Sequence, residues 1–246
     1  MNAVVFGGTK GIGRAMARLM VARGDRIHLL GRSPEDLERC ARDLELRSPA
    51  GPHTSWSLCD LMAPMTFGPA LEHAAAELGG FDAVVVTAGR FATQDRLEQD
   101  FELTAEVLTA DFTNTVLFCE RARERLLAAG GGTLCVFSSV AGDRGRKPVV
   151  LYGAAKAGLT HYLEGLDHRY RAKGLRTVCV KPGFVRTSMT AGLPEPPFAA
   201  DADRVAEIAL RALDRGTPVV YAPRVWAAVM MVIRCLPRAV MRRVGF

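Results

Sequence analysis

The sequence predicts an α/β fold: a single domain with a doubly wound parallel sheet and helices on both of its faces. Two observations lead to this prediction. Short apolar runs typical of buried strands alternate with helical segments from residue 2 to about residue 222, as in parallel βαβ units. A glycine-rich turn also joins the first strand to the first helix, where sheets of this kind hold a nucleotide. The length of 246 residues suits one such domain.

The first strand, NAVVFGG, leads into the helix GGTKGIGRAMARLMVARG. Gly7 permits the tight turn between them. Gly11 and Gly13 let the backbone approach a pyrophosphate at the helix N-terminus, where free N–H groups and the helix dipole favour anions. A glycine pattern alone is a weak signal, but its place between a strand and a helix strengthens it. The loop residues predicted to bind the nucleotide are Gly7, Thr9, Lys10, Gly11, Ile12 and Gly13.

The second strand, RIHLL, ends at Gly31, and Arg32 and Ser33 follow. In folds that bind NAD, an acid near this point usually holds the 2′-hydroxyl of the adenosine ribose. This chain has none there, but it has Arg32 and, in the glycine loop, Lys10. Each cation alone would more often be a solvated surface charge; together, without a carboxylate, they suit a 2′-phosphate. The sequence therefore predicts NADP(H) as cofactor, with Arg32 and Ser33 beside the ribose.

The remaining elements alternate regularly. Ser33 caps the helix SPEDLERCARDLELR, with Pro34 at its first position. The third strand is HTSWSLCDL, followed by a helix over residues 64–79 and the apolar fourth strand FDAVVVTAG. Residues 95 to about 129 are predicted as one long or broken helix, and TLCVFSS as the fifth strand. The helix GAAKAGLTHYLEGLDHRY, the strand LRTVCVKPG, the loop SMTAGLPEPPFAAD, the helix ADRVAEIALRALDRG and the short strand PVVYAP complete the domain.

A serine, a tyrosine and a lysine follow the fifth strand. Tyr152 lies thirteen positions after Ser139, and Lys156 lies one helical turn further on, so the last two share a helix face. An ammonium close to a phenol lowers the pKa of the phenol, and such a tyrosine can act as a general acid or base. The alternative is an ordinary surface pair and a serine that ends a strand. The spacing and the glycine loop together favour proton transfer at a carbonyl or alcohol oxygen, beside a hydride carrier.

Residues 2 to about 221 resemble the short-chain dehydrogenase/reductase family, which has the Rossmann fold. The family loop T-G-x-x-x-G-x-G matches FGGTKGIG, with Phe6 in place of the threonine. The family's N-N-A-G element matches VTAG at 86–89, and only its last two residues are kept. Its Ser, Tyr and Lys match Ser139, Tyr152 and Lys156 at the family spacing. Beyond the glycine loop, the resemblance assigns cofactor contacts to Asp60, Leu61, Ala88, Gly89, Tyr152, Lys156, Pro182, Gly183, Val185 and Thr187.

The resemblance also implies a fourth catalytic residue, an asparagine usually found as N-x-x-G. Asp111 stands in its place, in the sequence DFTN. The family asparagine helps to hold a water relay to the lysine, and an aspartate could accept from that relay but not donate an amide hydrogen. Asn114 is the alternative if the helix register shifts. We predict that Asp111 lies near Lys156 and that the catalytic set is Ser139, Tyr152, Lys156 and Asp111.

The function implied by the resemblance is NADPH-dependent carbonyl reduction, or the reverse alcohol oxidation. The stretches SSVAGDRGRKPVVLYGAAKAGL and PGFVRTSMT and the C-terminal end are similar to the subgroup that contains decaprenylphosphoryl-2-keto-erythropentose reductase. That similarity implies a lipophilic or lipid-linked ketone or alcohol as substrate. Two alternatives remain open: a non-catalytic nucleotide sensor or scaffold on the same fold, and the reductase half of an oxidase/reductase pair that epimerises a hydroxyl. The family often forms homodimers and homotetramers.

The net charge of +6 belongs to the C-terminal end, where six arginines and no acid follow Asp214. We therefore divide the chain into a nucleotide-binding domain, 1–222, and a basic, apolar tail, 223–246. No nucleic acid is expected as partner, because the main domain has no basic patch with exposed aromatics.

The apolar run VWAAVMMVI is too short to span a membrane, and Pro237 can open a second short helix. Two alternatives remain for residues 224–246: peripheral contact with a membrane, or packing on the core or a sister subunit. In either case we predict that these residues close over the substrate site opposite residues 188–200.

The sequence also bears on location and metals. It begins without a signal peptide pattern, so a cytoplasmic protein is expected, lying at the inner membrane face if the tail binds lipid. The six cysteines are scattered without a C-x-x-C pair and are expected to be free, buried thiols. No metal site is predicted.

Overall fold

The computed structural model describes residues 1–49 and 54–244. Seven parallel strands form the main sheet, and their bounds are β1 Asn2–Phe6, β2 Arg26–Gly31, β3 Thr54–Leu58, β4 Ala83–Val86, β5 Gly132–Phe137, β6 Leu175–Pro182 and β9 Val219–Ala222. Their order across the sheet is β3-β2-β1-β4-β5-β6-β9. Two further short strands, β7 Val185–Arg186 and β8 Ala200–Asp201, pair with each other. Position 53, which begins the predicted third strand, lies outside the described residues.

Helices connect these strands and cover both faces of the main sheet. Their bounds are α1 Gly11–Ala22, α2 Pro34–Glu45, α3 Phe67–Leu78, α4 Gln94–Gln99, α5 Phe101–Leu108, α6 Thr115–Ala128, α7 Val150–Tyr170, α8 Ala202–Arg215, α9 Val225–Cys235 and α10 Arg238–Met241. Ser33 caps α2 as predicted, because its Oγ accepts a hydrogen bond from the backbone N–H of Asp36 at 3.1 Å. The doubly wound α/β fold predicted from the alternation of elements is confirmed.

The strands are apolar on both sides because both faces of the sheet are buried. Successive strand residues point to opposite faces. Ala3 and Val5 therefore pack in the core formed with α1, α2 and α8, whereas Val4 and Phe6 pack in the core formed with α3, α6 and α7. The sheet order reverses at β1, which lies between β2 and β4. Such a switch point opens a crevice beyond the strand C-termini.

The predicted long helix over residues 95 to about 129 is broken twice. Asp100 ends α4 and caps α5, since its carboxylate accepts from the backbone N–H of Leu103 at 2.9 Å. Residues 109–114 then form a π-helical turn before α6 begins. Turns of this kind, with one residue more than an α-helical turn, often occur at functional sites. This one carries Asp111 at its centre.

The tail folds back onto the domain. Met230 and Ile233 of α9 are buried and form a small core with Val140, the residue after Ser139. Pro237 caps α10, so the predicted second short helix is present. The opposite side of α9 leaves Met231 and Val232 exposed. Among the described helices, none is long and apolar enough to cross a membrane.

The cysteines bear out the expectation of free thiols in part. Five of the six are buried, at positions in both cores of the sheet. Cys235, at the end of α9, is exposed.

Candidate active site

The glycine loop after β1 is closely packed against the end of β4. Gly7 adopts φ of 89°, in the left-handed region, and a Cβ on it would lie 2.6 Å from the backbone nitrogen of Ala88. A Cβ on Gly13 would overlap the carbonyl oxygen of Gly7. Both positions therefore require glycine. The result is a cradle of backbone at the N-terminus of α1, with room for a pyrophosphate and N–H groups that favour an anion.

Thr87 holds this cradle in place. Its Oγ1 donates to the carbonyl oxygens of Phe6 and Gly7, at 3.1 and 3.2 Å. These hydrogen bonds tie the loop to β4 although both asparagines of the family's N-N-A-G element are missing. The ring of Phe6, in place of the family threonine, packs between Phe67 and Phe118 at centroid distances of 6.4 and 4.7 Å. Sequence reasoning assigned no role to Thr87; a hydroxyl directly after a strand at the switch point was the available signal.

The ribose end of the crevice holds an acid that the sequence analysis left out. Lys10 forms an ion pair with Asp36, Nζ to Oδ2, at 2.7 Å, and Lys10 lowers the pKa of Asp36 through this contact. The prediction that no carboxylate lies beside Lys10 is therefore wrong. Asp36 belongs to the first turn of α2, which Ser33 caps, and this turn lies beside the glycine loop. Arg32 is exposed and forms no ion pair within the described part of the chain.

Asp60 and Leu61 follow β3 at the same edge of the sheet. The carboxylate of Asp60 accepts from the backbone N–H of Met62 at 2.9 Å, which fixes the turn. The carbonyl of Leu61 accepts from the side-chain amide of Asn114 at 2.8 Å. Asn114 is thereby committed to a structural hydrogen bond, away from Lys156. The alternative in which Asn114 replaces the family asparagine has no support in this geometry.

Ser139 begins a 3-10 turn that packs tightly on α7. Its Oγ accepts from the backbone N–H of Ala141 at 3.1 Å. A Cβ on Gly142 would lie 2.7 Å from the backbone carbon of Lys156, so the turn and the helix touch backbone to backbone. Ser138 adds a hydrogen bond from its Oγ to the carbonyl of Lys156 at 2.9 Å. These contacts fix Ser139 relative to the helix that carries Tyr152 and Lys156.

Tyr152 and Lys156 lie one turn apart on α7, as predicted from their spacing. The ammonium of Lys156 is buried and lies 5.6 Å from the ring centroid of Tyr152. Burial raises the pKa of Tyr152, while the charge of Lys156 opposes that rise. Lys156 thus acts in the direction expected from the sequence, but the net shift of the phenol pKa is upward, because removal from water disfavours the phenolate more strongly. The phenol therefore keeps its proton at neutral pH.

Asp111 lies beside Lys156, fully buried. Its Oδ2 is 3.6 Å from Nζ of Lys156, and its Oδ1 accepts from the backbone N–H of Arg90 at 2.6 Å. Gly89 makes room for the carboxylate, since a Cβ there would lie 2.9 Å from Oδ1. Oδ2 has no hydrogen-bond partner among the described residues. An acceptor site is therefore open beside the lysine.

Electrostatics couple these three groups. Burial raises the pKa of Asp111 against the pull of Lys156. Burial disfavours the charge on Lys156, but Asp111 and Tyr152 outweigh it and raise the pKa of the ammonium. Lys156 therefore keeps its proton in the interior. A buried lysine without such a partner would tend to lose it.

The end of β6 closes the crevice on the other side. Pro182 pairs with Ala222 of β9, and the backbone N–H of Gly183 donates to the same residue at 3.1 Å. Thr187 follows Val185 and reaches the glycine loop, since a Cβ on Gly11 would lie 3.3 Å from its Cγ2. The loop after β1 and the segment after β6 thus face each other across the crevice.

A buried polar cluster beneath the tail escaped the sequence analysis. Lys181 and Asp143 form an ion pair at 2.6 Å, and the hydroxyl of Tyr221 donates to the second oxygen of Asp143 at 2.7 Å. Both ionic side chains are buried. The cluster joins the turn after Ser139 to β6 and β9. No local pattern marks it, because its three members come from three separate segments.

Taken together, the structure brings the glycine cradle, Ser139, Tyr152, Lys156, Asp111 and the Pro182-Gly183 turn to the same edge of the sheet. The cradle fits the phosphates of a dinucleotide. A hydroxyl, a phenol and a buried ammonium beyond it can bind and protonate an oxygen atom. Within residues 1–49 and 54–244, no group of three or more potential metal ligands converges.

Comparison with known proteins agrees with this chemistry. Residues 1–197 match the family model described as short chain dehydrogenase. An uncharacterized oxidoreductase of Mycobacterium tuberculosis is 34% identical over 240 residues, which cover 98% of this chain and 95% of the relative. The cis-4-hydroxycyclohexanecarboxylate dehydrogenase of Sinomonas cyclohexanicum is 33% identical over 195 residues, which cover 78% of this chain and 76% of the relative.

The fold has a solved counterpart as well. A short-chain type dehydrogenase/reductase from Mycobacterium ulcerans superposes with a TM-score of 0.81 over 89% of this chain and 86% of that chain, at 23% sequence identity. The likeness at this identity concerns the fold, while the family model and the relatives above concern the sequence. The chain belongs to the short-chain dehydrogenase family, a family of oxidoreductases that use NAD(P)(H).

Proposed function

We propose that this protein is an NADPH-dependent carbonyl reductase, which in reverse oxidises the corresponding alcohol. The observation that carries the proposal is the buried ion pair of Lys156 and Asp111 behind Tyr152, at the edge of the sheet that also bears the glycine cradle. A bound nicotinamide cofactor supplies the hydride. The protein supplies a positioned proton and the electrostatics that favour its transfer.

Each catalytic side chain has a separate task in this proposal. The Ser139 hydroxyl, held by its turn, donates a hydrogen bond to the substrate carbonyl oxygen. The Tyr152 hydroxyl gives that oxygen a proton as negative charge develops on it. The Lys156 ammonium stabilises the phenolate that remains, which lowers the cost of the transfer inside the protein. We also assign to its side chain the contact with the nicotinamide ribose that the family resemblance implies.

Asp111 keeps Lys156 charged in this proposal, and it accepts from the water relay that leads to the lysine. The open Oδ2 supports the second role, because a buried carboxylate oxygen without a partner is suited to an ordered water. An amide in its place could accept a hydrogen bond from the N–H of Arg90. It has no negative charge, however, with which to raise the pKa of the Lys156 ammonium.

NADPH is the proposed cofactor, and Arg32 is the proposed principal contact to its 2′-phosphate. Arg32 is exposed beyond β2 and has no ion-pair partner in the described part of the chain, whereas Lys10 is already neutralised by Asp36. The remaining contacts are proposed at the loop Gly7, Thr9, Lys10, Gly11, Ile12 and Gly13, and at Ser33, Asp60, Leu61, Ala88, Gly89, Pro182, Gly183, Val185 and Thr187.

A lipophilic or lipid-linked ketone is the proposed substrate, as in the subgroup that the C-terminal stretches resemble. The tail supports this proposal, because Trp226 packs against Gly183 and faces the ring of Phe198 at 6.1 Å. Residues 224–246 and 188–200 would thus form an apolar mouth. We further propose that the tail contacts an anionic membrane surface through Met231, Val232 and its arginines.

The exposed apolar side chains bear on how the protein assembles. A homodimer or homotetramer is proposed, and exposed apolar side chains on α6 and α7, Leu117 and Val150, suit such an interface.

The alternative of a non-catalytic sensor is less well supported, since Ser139, Tyr152 and Lys156 are all in place. The epimerising pair is compatible with the same chemistry and requires a separate oxidase.

Tyr152→Phe tests the reductase chemistry. The variant keeps the ring, so NADPH binding should change little, while kcat for ketone reduction should fall by about 100-fold or more, the scale of general acid catalysis. Stopped-flow or steady-state NADPH oxidation gives kcat, and quenching of protein fluorescence gives the cofactor Kd. If the variant keeps more than about a tenth of kcat, Tyr152 is not the acid.

Asp111→Asn and Asp111→Ala test the role of the buried carboxylate. The asparagine keeps an acceptor for the N–H of Arg90, so it should fold and retain more activity than the alanine. Both should lower the pKa of Lys156, because the charge that raises it is gone. The alkaline limb of the pH profile of kcat should therefore move to lower pH in Asp111→Asn. An unmoved limb would contradict the proposed role.

Arg32→Asp tests the cofactor. Charge-assisted hydrogen bonds to phosphate contribute about 1.5–3 kcal/mol each, so we expect at least a tenfold preference of the wild type for NADPH over NADH in kcat/KM. Arg32→Asp should weaken NADPH far more than NADH. Arg47→Asp, a charge reversal in an ion pair with Asp43 away from the crevice, is the control. Equal kcat/KM values for the two cofactors in the wild type would contradict the proposal.

The membrane proposal is tested on the exposed side of α9. Met231 and Val232 are 65% and 59% exposed, so the double variant Met231→Gln/Val232→Gln should fold normally. It should lose flotation with anionic phosphatidylglycerol vesicles at low salt, while Leu46→Gln, at 90% exposure directly after α2, should not. High salt should also release the wild type, because each arginine near the surface contributes about 1 kcal/mol. Failure of the wild type to float would leave the tail as a structural element only.

A further inference from the structure

The segment between Ser139 and Tyr152 carries two arginines that differ in their hydrogen bonding. Arg144 is satisfied: its Nη2 donates to the carbonyl of Leu236 in the tail at 2.9 Å. Arg146 is not. Its Nε is buried and has no acceptor, and its guanidinium has no ion-pair partner within residues 1–49 and 54–244.

Partial removal from water disfavours the charge on Arg146. Burial lowers its pKa, yet a guanidinium remains protonated in proteins, so the charge is retained. The acid nearest to it in sequence, Asp143, compensates this charge only in part: it opposes the lowering of the Arg146 pKa but forms no ion pair with Arg146 within the described residues. The two carboxylate oxygens of Asp143 are bonded to Lys181 at 2.6 Å and to Tyr221 at 2.7 Å. Arg146 is thus a partly exposed cation whose buried Nε has no acceptor among the described residues.

The position of Arg146 links it to the candidate site. The turn at 140–142 is fixed on α7 at Gly142, as described above, and a Cβ on Gly153 would lie 2.8 Å from the carbonyl oxygen of Ala141. Both ends of the segment 143–149 are therefore anchored next to Ser139 and Tyr152. Arg146, in the middle of this short connection, is therefore held between the turn that carries Ser139 and the helix that carries Tyr152.

A second unsatisfied donor lies in α9 of the tail, beside the end of β6. The indole Nε1 of Trp226 is buried without an acceptor among the described residues, and it lies against Gly183. Guanidinium and indole N–H groups can only donate hydrogen bonds. Two buried groups of this kind, from separate segments, call for a ligand rich in acceptor atoms.

We propose that the substrate carries an anionic oxygen group, a carboxylate or a phosphate, and that Arg146 binds it while the indole of Trp226 donates to a further substrate oxygen. This inference rests on the proposed reductase function, because it names the class of ketone that the site selects. Such a substrate would supply the ion pair that Arg146 lacks within the described residues, where Asp143 compensates its charge only in part. Binding would then orient the carbonyl toward Ser139 and Tyr152.

The test uses the whole protein saturated with NADP⁺ and three probes that share a cyclohexyl ring. Cyclohexanecarboxylate and cyclohexyl phosphate carry the anion, and cyclohexanecarboxamide is neutral. Isothermal titration should give at least one anion a Kd about tenfold to hundredfold lower than that of the amide, the scale of a charge-assisted contact. The ranking of the two anions identifies which group the site prefers.

Arg146→Met should remove this discrimination, and Arg146→Lys should keep part of it. Arg144→Met, which removes an equal charge from the same segment, is the matched control and should keep the discrimination intact. Thermal melting reports whether each variant folds. If Arg146→Met does not fold, the anion-to-amide ratio of the wild type and its change in Arg146→Lys decide the matter.

The outcomes separate the two proposals. A protein that fails to bind NADP⁺ or NADPH contradicts the proposed function itself. Saturable NADP⁺ binding with equal affinity for anion and amide, or with no measurable anion binding, overturns the anionic-substrate inference alone. A loss of discrimination that is the same in Arg144→Met as in Arg146→Met also overturns it, because the effect would then be one of general charge.

Discussion

The ion pair between Lys156 and Asp111 is the interaction on which the candidate site depends most. It lies in the interior, where charges interact strongly and an unpartnered one is costly. It joins α7 to the π-helical turn at 109–114, and the N–H of Arg90 holds the carboxylate from a third segment. Removal of either partner would leave a buried charge without compensation. The position of Lys156 relative to Tyr152, and hence its effect on the pKa of the phenol, therefore depends on its contact with Asp111.

The crevice shows how a family pattern can be altered while its geometry is kept. Phe6 replaces the family threonine and joins an aromatic cluster, and Thr87 ties the glycine loop to β4 where the family uses asparagines. Gly7 and Gly13 cannot be exchanged in this way, because backbone atoms occupy the space of a side chain at both positions. The backbone cradle is thus the fixed part, and the side chains that support it are replaceable.

Charge is distributed unequally around the site. At the glycine loop, Asp36 pairs with Lys10, while Arg32 forms no ion pair within residues 1–49 and 54–244. On the substrate side, Asp143 is consumed by Lys181 and Tyr221, which leaves Arg146 unpaired in the described structure. The tail covers this side and adds exposed arginines that have no acidic counterparts in sequence. Under the proposals above, both ends of the crevice would accept anionic groups. Trp226 of the tail packs against the apolar cluster that contains Val140, and its ring faces that of Phe198.

The sequence by itself determined the order of the elements, the glycine loop, the cap at Ser33 and the placement of Tyr152 and Lys156 on one helix face, because periodicity and spacing act within a few residues. Resemblance singled out Asp111 as well. Only the tertiary structure decided that Asp36 meets Lys10, that Asn114 binds Leu61 rather than lying at Lys156, and that Asp143, Lys181 and Tyr221 form one cluster. Among the described residues, it alone left Nε of Arg146 and Nε1 of Trp226 without acceptors. Tyr221 lies 78 residues from Asp143 in the chain, and no local pattern encodes a contact over that separation. Such pairs exist only once the sheet has brought the C-termini of its strands to one edge.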